Sequence, residues 1–493
     1  MTGDNFAIAE PTADAASPPD HTARNKMVIG LLLVSAFVVI LNETIMMVAL
    51  PHLMASLDIT ASTAQWLSTA FMLTMAVVIP VTGLLLQRFN TRPVFILAMS
   101  LFSAGTLISA LALGFPMLVI GRIVQASGTA IMMPLLMTTV MHLVPPQTRG
   151  KTMGNISIVI SVAPALGPTI SGLILAVLDW RWMFLLVLPI ALAALALGAK
   201  RIVNVTTPSD APIDVLSVLL SAIGFGSFVY GLSEFGASAL HPPVVPAWIP
   251  FVVGAAVIAV FVLRQLTLQK LDRALLDLRT LTNRTFTIAA VMMAILMMSM
   301  FGIFILLPIY LQNVLGLTTL QTGLLLLPGG LIMGLCAPTV GTLFDKYGPG
   351  RLVIPGAILL CVATWGLTLI QQDTPFWMIL IAHLVLSVAL ALMFTPLFTV
   401  SLGALTPNLY SHGSAMIGTT QQVAGAAGTA LFVAIMTWQS ARLGAAGADL
   451  ATATTGGIRA AFLGSAIIAL GALFAAFFVR KPAGDQPDMG QGH

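Results

Sequence analysis

MVIGLLLVSAFVVILNETIMMVAL, residues 27–50, is a run of twenty-four residues with a single charge in it, Glu43. A helix crosses the hydrocarbon of a bilayer in about 20 mostly apolar residues, so this stretch is long enough to span. Thirteen more such runs follow, at 64–86, 93–113, 116–141, 153–178, 183–199, 214–234, 247–264, 286–311, 319–343, 352–371, 376–400, 411–437 and 457–480. In lipid only helices and closed barrels satisfy their own backbone, and runs of this length exclude a barrel. The expected fold is therefore an all-α polytopic membrane protein with 14 transmembrane helices. Composition agrees. Of 493 residues, 58% are hydrophobic and 8% charged, and the mean hydropathy is +1.01, whereas a soluble domain carries about 25% charge.

The distribution of basic residues sets an orientation, because Lys and Arg accumulate in cytoplasmic loops. Fourteen spans put both termini on one side, and that side holds seventeen of the 21 Lys and Arg, from Arg24 and Lys26 through Arg88, Arg92, Arg149, Lys346 and Arg351 to Lys481. The other side holds three, Arg181, Arg442 and Arg459, while Arg122 lies at a helix end. Both termini are expected in the cytoplasm, with a disordered tail over 1–26 and a short one over 481–493. The segment at about 265–285, TLQKLDRALLDLRTLTNRTF, is too charged to span. Its leucines at helical spacing read as an interfacial amphipathic helix, with a solvated linker as the alternative.

An internal repeat is visible. Gly83-Leu-Leu-Leu-Gln87-Arg88-Phe89-Asn90 follows the second span, and Gly341-Thr-Leu-Phe-Asp345-Lys346-Tyr347-Gly348 follows the tenth. Duplicated halves are the building plan of alternating-access transporters. The expected division is a six-helix bundle over 27–199, a linker over 200–285 carrying two extra spans and the amphipathic segment, and a second six-helix bundle over 286–480.

Several of these stretches resemble the fourteen-span drug:proton antiporter branch of the major facilitator superfamily, over about residues 27 to 480. Leu41-Asn42-Glu43-Thr44-Ile45-Met46-Met47-Val48-Ala49-Leu50-Pro51 is similar to the family's first-span signature, although many members carry the acid one position earlier, where Asn42 stands. The repeated loops resemble its Gly-x-x-x-Asp-Arg-x-Gly gating motif. Gln87 and Asn90 depart from the pattern, and Asp345 and Gly348 keep it. The resemblance implies a cytoplasmic gate built from Gly83, Gln87, Arg88, Arg92, Gly341, Asp345, Lys346 and Arg351, weaker on the Gln87 side. Gly121-Arg122-Ile-Val-Gln125-Ala-Ser-Gly128 is similar to the family's fourth-span motif, whose Arg is implicated in proton movement. Ala163-Pro164-Ala165-Leu166-Gly167-Pro168-Thr169-Ile170-Ser171-Gly172 resembles its antiporter motif. Pro164 and Pro168 each remove a helix hydrogen bond, and Ala163, Gly167 and Ser171 make a small-residue stripe for close helix approach. Pro164, Gly167, Pro168 and Gly172 are thus the expected hinge.

Of seventeen acids only Glu43 lies well inside a span; Glu234 sits at the outer end of the seventh. An intramembrane acid is a functional candidate by default, so Glu43 is the expected proton carrier and Arg122 its electrostatic modulator. His383 in the twelfth span is a further relay candidate, against the simpler reading of a packing residue. Candidate substrate contacts are Asn42, Met46, Gln125, the stripe Met293, Met297 and Phe301, whose polarizable side chains suit varied apolar ligands, and Gln422.

These residues predict a proton-coupled exporter of amphipathic, hydrophobic or cationic compounds such as antimicrobials. A narrower exporter of a metabolite or lipid, and a receptor or scaffold without transport, are the other readings. No catalytic constellation, phosphate loop, metal motif or nucleic-acid surface is legible. The expectation is a monomer in the bacterial inner membrane that uses no cofactor beyond the proton gradient.

Overall fold

The computed structural model describes residues 22–59, 61–205, 214–237 and 245–479; of the expected tails 1–26 and 481–493, residues 22–26 already belong to the first helix and the rest lie outside the described residues. Among the described residues fourteen helices are long and apolar enough to cross a membrane. They are α1 (Thr22–Leu57), α2 (Ala61–Arg88), α3 (Thr91–Ala110), α4 (Phe115–Leu143), α5 (Arg149–Val177), α6 (Arg181–Arg201), α7 (Val215–Ala237), α8 (Trp248–Leu268), α9 (Arg284–Asn313), α10 (Thr319–Tyr347), α11 (Gly350–Leu367), α12 (Phe376–Gly403), α13 (Tyr410–Ala445) and α14 (Leu450–Ala476). Each overlaps one of the fourteen apolar runs. Local chemistry sets several starts. Asn283 caps α9 by accepting from the Phe286 amide, and Thr318 and Gln321 form a reciprocal capping box on α10. Asp449 caps α14 and starts it at Leu450, ahead of the expected 457.

The helices form two bundles, α1–α6 and α9–α14, and the packing repeats with a shift of eight helices. α1 packs on α5 and α6, and α9 on α13 and α14; α3 packs on α4 and α6, and α11 on α12 and α14; α2 packs on α4, and α10 on α12. Glycine lets these backbones meet. A Cβ at Gly128 would fall 2.3 Å from the Ala98 carbonyl oxygen, and one at Gly105 would fall 2.3 Å from the Gln125 nitrogen. Outward-facing apolar side chains such as Leu219, Val252, Leu263, Val362 and Phe474 are exposed, as lipid permits.

The two bundles meet along two seams, α5 against α10 and α2 against α13. Contact is tight at the end that carries the repeated loops. A Cβ on Gly341 would lie 2.1 Å from the Gly150 oxygen, and one on Gly154 would lie 2.4 Å from the Ala337 oxygen. Ser157 hydrogen-bonds Thr395 at 2.8 Å and Thr138 donates to Ser414 at 3.2 Å, both across the seam between the halves.

The hairpin α7–α8 lies over the α2–α13 seam. Ala76, Val229 and Ala426 form a small buried cluster where the three helices meet, and Tyr230 stacks on Trp66 of α2 with ring centroids 5.9 Å apart. The segment after α8 differs from the expected amphipathic helix. It has 3-10 turns at Gln269–Leu271 and Leu278–Thr282, with Leu275, Leu276 and Asp277 buried between them. The cause is Gln265. Its buried amide oxygen accepts from the Leu275 and Leu276 nitrogens at 2.8 and 3.3 Å, and its amide nitrogen donates to Ser217 at 2.8 Å. Backbone groups tied to a side chain cannot continue a helix. The Asp277 amide then donates to Nδ1 of His412 on α13 at 3.4 Å, and the α9 cap Asn283 donates to the Ala404 carbonyl at the end of α12 at 2.8 Å. The hairpin is thereby hydrogen-bonded to the second bundle.

Candidate functional site

Glu43 on α1 and Arg122 on α4 both lie inside the first bundle, near enough for their charges to interact. α1 runs unbroken through Asn42, which is buried, and Glu43, which keeps part of its surface open. Thr44 is held by its own helix, donating to the Leu41 carbonyl at 3.0 Å, and it fills the space opposite Gly167 of α5. A Cβ on Gly167 would come 2.3 Å from Thr44 Oγ1, so the small stripe of α5 seats α1, while Ser171 reaches Met183 of α6. Gly172 meets open space and Pro164 is half-buried; the side chain of Pro168 lies outside those described.

Arg122 does not reach the interface as an end-of-helix arginine can. It is 2% exposed. Its Nη1 donates to Gln125 Oε1 at 2.8 Å, Gln125 Nε2 donates to Thr106 Oγ1 at 2.8 Å, and Thr106 donates to the Phe102 carbonyl at 2.7 Å. The Phe71 ring of α2 lies 4.0 Å from the guanidinium carbon. Arg122 Nε is buried without a partner. Glu43 and Arg122 act on each other electrostatically, and among the described residues no third charge acts on either. Among the described residues the two form no direct ion pair.

At the closed end the Asp345 carboxylate accepts from the Gly150 and Lys151 amides, both at 2.8 Å, and so caps the start of α5 from the other bundle. Its counterpart Gln87 donates to the Asn408 carbonyl at 3.3 Å, just before α13. Gly83 packs against Ala415, 3.3 Å from its would-be Cβ, beside His412. Lys346 and Arg351 flank the Tyr347 ring, and the Arg92 amide binds Asn204.

The expected substrate contacts do not gather into one open wall. Met46 belongs to the core of the first bundle, and Met293 and Met297 to the core of the second, because α9 turns that face toward its neighbours. Phe301 packs on Gly425, Gln125 spends its amide on Arg122 and Thr106, and Gln422 donates across the seam to the Met72 carbonyl at 3.4 Å. His383 is buried between α12 and α10, its Nε2 3.1 Å from the Leu326 carbonyl oxygen and its Nδ1 unpartnered. Glu234 lies beside Tyr230. Phe71, His412 and Asn408 were not singled out by the sequence reading; an apolar ring in an apolar helix carries no signal, whereas Thr106 and Gln125 are polar groups in neighbouring spans and could have been paired.

A family model described as Major Facilitator Superfamily matches residues 32–429. The chain belongs to the major facilitator superfamily. It is 41% identical over 459 residues to the lincomycin resistance protein LmrB of Listeria monocytogenes, covering 92% of this chain and 96% of that protein. It is 38% identical over 456 residues to the MFS-type transporter YcnB of Bacillus subtilis, covering 92% and 95%. A multidrug resistance protein B homolog of Mycobacterium tuberculosis is 29% identical over 420 residues, 83% of this chain and 76% of that one. Among solved structures, the human organic anion transporter MFSD10 superposes with a TM-score of 0.66 at 16% identity, covering 93% of this chain and all of that one. The proton:xylose symporter XylE gives 0.63 at 17%, covering 94% and 97%. Both likenesses concern the major facilitator fold. The chain is thus a multi-pass transporter of this superfamily, with drug-resistance proteins among its relatives.

Proposed function

We propose that this transporter exports amphipathic or hydrophobic toxic compounds across the bacterial cytoplasmic membrane in exchange for protons, by alternating access. The observation that carries the reading is the isolated pair Glu43–Arg122. A carboxyl group and a guanidinium, each the other's only charged neighbour among the described residues, stand inside a bundle where charge is costly. A buried acid beside one fixed cation, whose carboxyl makes no hydrogen bond among the described residues, is suited to taking and releasing a proton once per cycle. Arg122 biases that exchange. The compound class rests on the relatives named for lincomycin and multidrug resistance. With the basic loops in the cytoplasm, the closed end is the cytoplasmic gate, and opening requires α5 and α2 to part from α10 and α13.

Cells lacking their own exporters and expressing the chain test this directly. The expected result is raised resistance to lincomycin or to lipophilic cations, abolished when an ionophore collapses the proton gradient. Resistance that survives the ionophore contradicts proton coupling, and unchanged sensitivity across a broad panel contradicts drug export.

A further inference from the structure

We propose that Phe71, Gln125 and Thr106 form a positioning cradle whose purpose is to hold Arg122 in place without neutralising it, so that its charge stays available to Glu43. The inference rests on Glu43 being the proton carrier.

Each contact on Arg122 is electrically neutral. The Phe71 ring, 4.0 Å from the guanidinium carbon, attracts a cation through its quadrupole and carries no net charge. Gln125 offers an amide oxygen at 2.8 Å. Which end of that amide faces Arg122 is decided by the rest of the chain. Thr106 spends its proton on the Phe102 carbonyl, so its oxygen accepts from Gln125 Nε2, and Gln125 Oε1 is left to face Arg122. The chain runs in one direction and cannot flip without leaving two donors opposed.

All three residues are buried, Phe71 at 2%, Gln125 at 0% and Thr106 at 0% exposure, so the arrangement is fixed by packing. A Glu in place of Gln125 would fit the same space and cancel the charge. The sequence places the neutral isostere there. Among the described residues, the elements packed against α4, which are α1, α2, α3, α5 and α13, bring no charged group other than Glu43 to act on Arg122. The positive charge of Arg122 therefore falls on one group, so the position of the guanidinium acts, beside burial, on the pH at which Glu43 exchanges its proton. Phe71 does not touch the proton; it acts through Arg122.

The test is the pH profile of drug-dependent proton movement in proteoliposomes holding the full chain, with lincomycin as probe and a trapped pH dye, from about pH 5.5 to about 8.5. Phe71→Leu keeps an apolar side chain but loses the aromatic face. Its profile midpoint is expected to rise by roughly half a pH unit or more, because a loosened cation favours the ionised acid less. Phe71→Tyr keeps the face and should restore the wild-type midpoint. Gln125→Glu, nearly isosteric, should raise the midpoint further, and it serves where Phe71→Leu fails to insert. A residue that only fills the core would lower the rate equally at every pH. Unmoved midpoints in Phe71→Leu and Gln125→Glu, beside a titrating wild type, overturn the cradle alone. A flat wild-type profile, matching Glu43→Gln, removes the proton-carrier reading and the cradle with it.

Discussion

The two seams between the bundles are built on one plan and held by different means. At the α5–α10 seam Asp345 caps the first turn of α5 with two hydrogen bonds of 2.8 Å, in line with the positive end of the helix dipole. At the α2–α13 seam the equivalent position is Gln87, with one bond of 3.3 Å between neutral groups. Hydrogen bonds to a charged group contribute about 1.5–3 kcal/mol and neutral ones about 0.5–1.5 kcal/mol. The first seam is therefore the stronger at its polar lock, with two bonds of the stronger kind against one of the weaker. The second seam has what the first lacks, the α7–α8 hairpin lying over it, joined to α13 through the Asp277 amide and His412. A charged lock stands on one side of the gate and a braced, neutral lock on the other. The two inserted helices take up the position where the repeated motif has lost its acid.

The charged lock should show the largest effect. Asp345→Asn removes the charge and one of the two acceptors, so it should raise the population open at this end about tenfold, the equivalent of 1.4 kcal/mol. A cysteine at Thr395, placed in a chain lacking Cys336 and Cys361, reports this as faster labelling by a thiol reagent added from the cytoplasmic side. Gln87→Ala in the same assay should change labelling less than about threefold. Equal effects would erase the difference between the seams.

The brace gives a second contrast. Its polar bond runs to α13, while its contacts with α2 include the Trp66–Tyr230 stack and the apolar cluster around Ala76. If the hairpin travels with the second bundle, a disulfide between Val229→Cys and Ala426→Cys should leave most transport intact. One between Ala76→Cys and Val229→Cys should stop it. The reverse pattern would assign the hairpin to the first bundle.

The smallest effect belongs to the foot of the hairpin, where Arg264 donates to both Asp214 oxygens at 2.8 and 2.9 Å. These hydrogen bonds, more than any other cause, hold the Asp214 carboxyl down at about 2. A lowered acid stabilises the fold fully above its unfolded value, near 4, and loses that contribution only as pH falls through about 2. Asp214→Asn should therefore lower thermal stability modestly and by the same amount from pH 5 to 9 (roughly, the working range), without moving the pH midpoint of transport. A shifted midpoint would tie the brace to proton exchange.

Much of this is legible in the sequence. Span count, repeat and the isolated acid follow from hydropathy and charge alone, because lipid penalises every polar residue that lacks a reason to be there. The partners of those residues were less legible. Leu275 and Leu276 have the spacing of an amphipathic helix, yet Gln265, ten residues earlier, takes their amides. Met293 and Met297 look like a ligand surface, and which face of α9 meets its neighbours decides that they are core. Gly167 announces a close approach, but only the fold says that Thr44 is what approaches.

Glu43→Gln is the measurement on which the account turns. The amide copies the shape of the protonated side chain and cannot release a proton, while Glu43→Asp keeps the acid and shortens its reach. In proteoliposomes under an imposed pH gradient, the wild type should move protons in response to lincomycin and accumulate the drug. Glu43→Gln should bind lincomycin yet do neither, and Glu43→Asp should retain part of both. Undiminished proton-coupled transport by Glu43→Gln would contradict the account and move the proton to His383 or Glu234.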